Sequence, residues 1–214
     1  MTRLLFIKLV RDMRATWPRL ALMVVALGIT LVAFSGILYT WGVTSREIPR
    51  AYLITNPASA TILLEQRRDA TEMADIARAA RGQSGVIEAA ARTQLTLQVQ
   101  QDGGAWGPNP IQIFVAAPDD PMRIETLALE RGTRPSAAGD LLIDRSSLDL
   151  LNVAVGDSLV VQAPNGKPTR LRICGSVYYP GLAPSFQEQK AHGFISTDSL
   201  AVLGEPIALD ALKI

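Results

Sequence analysis

Residues 20–45 contain no Lys, Arg, Asp, Glu or His, and from Leu20 to Trp41 most of them are strongly apolar. At about 1.5 Å per helical residue, some twenty such residues cross the roughly 30 Å hydrocarbon layer of a bilayer. Whatever precedes Leu20 then lies on one side of a membrane, and whatever follows Ser45 lies on the other. A cleaved signal peptide has a shorter apolar core, about 7–15 residues, and a small-residue cleavage site. Thr40-Trp41-Gly42-Val43 offers no such pattern, so the stretch reads as a retained anchor. Trp17 and the Tyr39/Trp41 pair bracket it as interfacial aromatics. Pro18 reads as a first-turn proline, where the missing N–H costs nothing.

Charge sets the orientation. Arg3, Lys8, Arg11, Arg14 and Arg19 stand against Asp12 before the span, a local charge of +4. The whole chain carries +1, which leaves −3 for residues 46–214. The positive-inside bias puts the N-terminus in the cytoplasm and the larger part outside. Residues 1–19 read as a basic amphipathic segment, with Leu4, Ile7, Val10, Met13 and Trp17 spaced by about a turn. Such a segment either lies in the inner interface or extends the membrane helix. Near-neutral charge and the absence of a basic run beyond residue 19 argue against a nucleic-acid partner.

The 169 residues after Ser45 are enough for one sizeable domain or two small ones. Arg46 to Arg50 reads as a polar exit from the bilayer. Residues 60–66 read as a strand, and Asp69 as the cap of a helix over 70–81 that Gly82 stops, with Met73, Ile76, Ala77 and Ala80 as its apolar stripe. Alternation over 92–100 and 111–115, around Asp102-Gly103-Gly104, predicts a hairpin. The order strand–helix–strand–strand is half of a split βαβ sandwich.

Residues 119–139, rich in Asp, Pro and Gly, read as a boundary. Beyond them come a strand at 139–144 entering a short helix near 147–152, a hairpin of 158–162 with 169–178 around Pro164-Asn165-Gly166-Lys167, a strand at 193–197, a helix near 198–203 and a strand from 209. The chain ends on Leu212-Lys213-Ile214 inside that strand, which reads as a cut in a longer chain.

Catalytic residues are not assigned. His192 is the single histidine and reads as a loop residue in a polar turn, while Cys174 reads as a buried, inert thiol in a strand. One His and one Cys do not make a zinc site. Asp119-Asp120-Pro121 reads as a turn, with no regular calcium-ligand spacing. No phosphate-binding loop of the Gly-x-x-x-x-Gly-Lys type is present. A membrane-bound Ser–Lys hydrolase using Lys167 or Lys190 has nothing to distinguish those lysines from surface residues. We therefore expect no catalytic, cofactor-binding or metal-binding residues and no cofactor.

Several patterns together resemble the FtsX/MacB-type ABC transporter permeases. The run Leu9-Val-Arg-Asp-Met-Arg14 through Trp17-Pro-Arg19 into the span is similar to the start of their first membrane helix. Ala51-Tyr52 with Asn56-Pro-Ala-Ser-Ala-Thr61 is similar to the beginning of their extracytoplasmic domain. Gly132-Thr-Arg-Pro135, Gly139-Asp-Leu-Leu-Ile-Asp144, Val155-Gly-Asp157 and Arg172-Ile-Cys-Gly-Ser-Val177 resemble their inserted β-rich subdomain. The resemblance implies an α+β extracytoplasmic domain on one membrane helix. Its expected parts are a transmembrane helix at 20–43, a porter-like β-α-β-β half at 44–118, an inserted β-rich subdomain at 119–204 and the start of a returning strand at 205–214. It implies a permease subunit of a bacterial cytoplasmic membrane, not itself an enzyme, partnered by a cytoplasmic ABC ATPase, a second permease copy or half, and the lipid bilayer. The alternative is a stand-alone, single-pass anchored binding or adaptor domain. Gly28, Ser35 and Gly36 would allow close approach of partner helices.

Overall fold

The computed structural model describes residues 2–100, 104–117, 120–164 and 166–214. Its contacts divide the chain into two units, Met1–Arg50 and Ala51–Ile214. The protein is mixed α+β, with one long apolar helix and a sheet-rich unit.

Helix α1 spans Thr2–Ile54 without a break. At about 1.5 Å per residue it is about 80 Å long, far more than the hydrocarbon layer requires. The window from Thr16 is long and apolar enough to cross a membrane, and none of it is buried in the protein, unlike the core helix of a soluble fold. Polar groups in the span are satisfied locally. Thr30 and Thr40 donate their hydroxyls to the carbonyls of Ala26 and Gly36, at 2.8 and 2.9 Å. That is what a lipid-facing helix requires of its hydroxyls. One expectation is corrected here. Pro18 is not in a first turn but inside the helix, where it removes a backbone bond and is tolerated within a long helix. The polar stretch Arg46–Arg50 is itself helical, since α1 runs through it and through Pro49.

The second unit is built on β1 (Thr61–Asp69), α2 (Ala70–Arg81), β2 (Ala90–Val99), β3 (Ile111–Ala116), β4 (Ala128–Gly132), β5 (Asp140–Asp144), α3 (Arg145–Leu151), β6 (Ser158–Gln162), β7 (Pro168–Tyr178), α4 (Ser185–Glu188), β8 (Ala191–Ser196), α5 (Asp198–Leu203) and β9 (Ala208–Lys213). Strands β1 and β2 run parallel, with β9 antiparallel between them. This is the split βαβ arrangement, and β9 fills the split. The Asp69 carboxylate accepts from Thr71 N at 2.8 Å and caps α2, while Gly82 N closes its far end on Ala79 O at 3.2 Å. Met73 and Ala77 then bury against Ala89, Ala91, Leu209 and Leu212.

The remaining pairings close on themselves. Strand β2 pairs β3, β3 pairs β8, β8 pairs β5, β5 pairs β7, β7 pairs β6, and β6 returns to β2 through Gln98↔Gln162 and Val99↔Val161. The result is a six-stranded ring. Alternate residues point inward, so Leu95, Leu97, Ile111, Ile113, Leu141 and Ile173 fill one core with Leu200 and Leu203 of α5. The interior is tight enough to require glycine at 193. A Cβ there would stand 2.7 Å from Leu141 Cδ1 and 3.0 Å from Ile113 Cδ1.

Strands β2 and β3 thus serve both cores: Ala89 and Ala91 at the start of β2 and Ala117 just beyond β3 pack with α2, while Leu95, Leu97 and Val99 of β2 and Ile111, Ile113 and Val115 of β3 lie in the ring. Strand β4 was not legible in the sequence, since it falls within the stretch read as a boundary. It pairs with β7 at the edge, Gly132 opposite Gly175. The turn residues Asp102, Gly103, Asp119 and Asn165 lie outside the described residues, although the hairpins flanking the first two and the last are formed as expected.

Candidate functional site

His192 is the first place where the sequence misleads. It is not in a loop but in β8, 1% exposed, between α3 and α4. The reason is that α4, a single turn invisible to periodicity, covers its side of the strand. Its Nδ1 lies 3.4 Å from Ser185 Oγ, which is 2.7 Å from Ser147 Oγ. Ser146 Oγ contacts both the Asp144 carboxylate, at 2.6 Å, and Ser185 Oγ, at 3.0 Å. Glu188 Oε2 lies 3.4 Å from Nε2 but is not aligned as a hydrogen-bond acceptor. Burial pushes the imidazole pKa down, only partly opposed by Glu188 and Asp144, so the ring is neutral at physiological pH.

Serine, histidine and carboxylates therefore do come together, but Ser185 is 0% exposed and Ser147 equally so. A nucleophile needs room for a substrate carbonyl, and this cluster has none. It fastens α3, α4 and β8 to one another. Cys174 is buried in β7 as expected, its thiol donating to Leu141 O at 3.4 Å and its pKa raised by burial and then by Asp140. Lys167 lies beyond β6 and Lys190 precedes β8. Among the described residues no group of three His, Cys, Asp or Glu side chains is placed to hold a metal.

Among the described residues a concavity of about 870 Å³ lies on the outer face of the ring. Its floor is two cross-strand rows on one face of the sheet. Leu63, Ala211, Arg92, Ala116 and Ser196 are neighbours in register across β1, β9, β2, β3 and β8. Gln94, Phe114, Phe194 and Leu142 form the second row. The rings of Phe114 and Phe194 stack at 5.2 Å. The walls are the segment 120–127, Arg134-Pro135 and Tyr179.

Arg92 organises this face. It is 9% exposed, and Nε donates to Asp120 Oδ2 at 2.8 Å, Nη1 to Glu125 Oε2 at 2.9 Å, and Nη2 to Ile124 O at 2.5 Å. Lys213 Nζ also donates to Glu125. The segment 120–127 is thereby drawn onto the floor, with Met122 and Glu125 held at positive φ. On its other side the same segment is bonded to the chain that leaves α1. Glu125 N donates to Asn56 O at 3.0 Å, Thr126 N to Thr55 O at 2.8 Å, and Asn56 Nδ2 to Arg123 O at 3.3 Å. Burial, then the Glu125 carboxylate, raises the Tyr179 phenol, which stays protonated.

Sequence reasoning passed over Arg92, treating it as the start of a strand, and saw only a turn at Asp120. The signal available was a lone cation opening an otherwise apolar alternation, with two carboxylates following a Pro-rich stretch.

No family model and no curated protein matches the chain by sequence. Among solved structures it is similar to the periplasmic region of MacB from Actinobacillus actinomycetemcomitans, at 11% identity and a TM-score of 0.47, over 75% of this chain and 76% of that one. It is similar to the extracellular domain of the noncanonic ABC-type transporter YknZ from Gram-positive bacteria, at 12% identity and a TM-score of 0.45, over 72% of this chain and 81% of that one. A domain of a permease-type protein from Porphyromonas gingivalis is similar at 18% identity and a TM-score of 0.42, over 64% of this chain and 65% of that one.

Proposed function

We propose that the chain is part of the permease subunit of an ABC transporter, and that its sheet unit moves on the outer side of the membrane in response to ATP binding and hydrolysis by a separate cytoplasmic ATPase. The observation that carries the reading is the fastening at Thr55 and Asn56. The two residues that follow the apolar helix are hydrogen-bonded to segment 120–127, and Arg92 ties that segment to the sheet. Helix α1 runs to Ile54, so Thr55 and Asn56 are the residues that directly follow it in the chain.

An ATPase in the cytoplasm cannot touch a molecule held outside, so work is carried by rigid elements across the bilayer. On this reading the basic N-terminus is cytoplasmic, consistent with its +4 charge. One span cannot enclose a path, so the reading includes further membrane helices and a second permease copy or half, and Gly28, Ser35 and Gly36 offer a close-packing surface for them. The 1–19, 20–43, 44–118, 119–204 and 205–214 division is retained as part of this proposal. The outcome of the movement is export, lipid or lipoprotein release, or mechanical signalling to an outer partner.

The test is affinity recovery of the full chain from its native membranes in a mild detergent. Co-recovery of a nucleotide-binding subunit in stoichiometric amount, with ATPase activity, is the expected result. Clean recovery of the chain without one sinks the reading.

A further inference from the structure

We propose that the cavity on the outer face of the ring binds a single-chain monoanionic amphiphile, its apolar body on the Phe114–Phe194 floor and its carboxylate on Arg134. The proposal rests on the cavity and does not require the permease reading.

Size and lining come first. About 870 Å³ is within the range of small-molecule sites, and those sites are mostly apolar with a few placed polar groups. Here Leu63, Phe114, Leu127, Leu142 and Phe194 supply the apolar part. Leu63 is 70% exposed at the end of the regularly paired Thr61–Leu63 part of β1, just before the register shifts. Phe114 and Phe194 are stacked, yet neither is fully covered.

Charge then selects the head group. Three cations and three carboxylates line the cavity: Arg92, Arg134 and Lys213, with Asp120, Glu125 and Asp210. Arg92 is taken by Asp120 and Glu125, Lys213 by Glu125, and Asp210 by Arg67 of β1. Arg134 remains, with no ion pair or hydrogen bond among the described residues. The charges of the lining cancel in sum, and the one group left without a partner at the wall is the cation Arg134, so the group complementary to it is an anion.

Arg134 is also placed by design of the backbone. Gly132 sits at φ 78° against the Cys174 carbonyl, too close to admit a Cβ. Opposite it, a Cβ on Gly175 would meet Arg131 O at 2.7 Å and Thr133 O at 2.9 Å. Thr133 N donates to Cys174 O at 3.0 Å, and Pro135 fixes the residue after the arginine. The Gly132-Thr-Arg-Pro135 motif thus presents its arginine from a segment clamped on both sides. A guanidinium is the side chain suited to a carboxylate.

The experiment is photolabelling of the full chain, held in a sterol-based detergent without alkyl chains, by a diazirine-bearing twelve-carbon carboxylate. Expected labelled peptides contain Leu63, Phe114 or Phe194. Laurate should compete and dodecyltrimethylammonium of the same chain length should not. Arg134→Gln should lower labelling roughly three- to five-fold, the range of a partly exposed ion pair. Ala116→Trp, which fills the floor, should abolish it while the thermal transition is retained. Label confined to residues 20–43, equal competition by the cation, or labelling unchanged in both variants overturns the proposal. Recovery of the chain without an ATPase would leave this result standing, so the two readings fail separately.

Discussion

Replacing Arg92 by Met tests the organisation of the cavity wall most directly. The substitution keeps a flexible apolar stem but removes three donors, to Asp120, Glu125 and Ile124 O. Glu125 retains Lys213, but the Asp120 side chain is 1% exposed and its carboxylate would lose its cationic partner. Leaving one member of a buried pair uncompensated costs about 3–5 kcal/mol. For a unit of this size, each kcal/mol shifts the midpoint by about 2–4 °C, so Tm should fall by roughly 6–20 °C. Near-UV circular dichroism of the full chain in detergent reads this transition, because the contribution of α1 to that signal is separable by its own scan. Adding Asp120→Asn to Arg92→Met should recover part of the loss, since the stranded charge is then gone. Native-state hydrogen exchange gives the local readout: the amides of Glu125 and Thr126, bonded to Asn56 O and Thr55 O, should lose protection. A fall below about 2 °C, with those amides unchanged, would refute the claim that Arg92 holds the segment.

Gly193→Ala should destabilise the ring by about 1–3 kcal/mol through overpacking against Leu141 and Ile113, and urea unfolding of the full chain measures it. His192, whose pKa is lowered in the folded state, makes stability fall as pH drops below the ordinary value of about 6.5, because the unfolded chain takes up the proton first. His192→Gln should flatten that part of the pH–Tm profile, and an unchanged slope would count against a buried neutral ring. Asp140 acts in a lower window. Burial raises its carboxyl, but the Ser136 and Ala137 amides and Arg172 outweigh burial and hold it below the usual range. Its contribution should persist above about pH 4 and be lost as pH falls further, with Asp140→Asn removing that dependence. Asp69→Ala should cost about 1 kcal/mol by uncapping α2, read in the same urea titration.

Much of the architecture is legible wherever a single element carries its own signal. The cap at Asp69, the stop at Gly82 and the buried Met73 and Ala77 specify α2, whereas Ile76, expected on the same apolar stripe, is exposed. Alternation in β2 and β3 appears in the structure as alternate burial, with Leu95, Leu97 and Val99 inward. What is missing from the sequence is non-local. Pairing of Gln98 with Gln162 closes the ring across more than sixty residues, and no local pattern announces it. His192 looks like part of a turn because Lys190 and Gly193 flank it; only the packing of α4 makes it a core residue. Strand β4 hides in a Gly- and Arg-containing stretch because all five of its residues are exposed, so it has no buried face to produce a period.

The apolar run from Leu20 to Trp41, by itself, determined that this protein has a helix suited to a membrane, since length and the lack of charge act through local physics alone. Most strand and helix identities, β4 and α4 excepted, followed from the same kind of short-range information. Only the tertiary structure decided that β2 and β3 serve two cores, that Arg92 gathers Asp120, Ile124 and Glu125 over a cavity, and that the wall of that cavity is bonded to the chain leaving the helix at Thr55 and Asn56. The reason is that desolvated charges and cross-strand registers depend on what folding brings together, and residues 56, 92, 125 and 213 are neighbours in space alone.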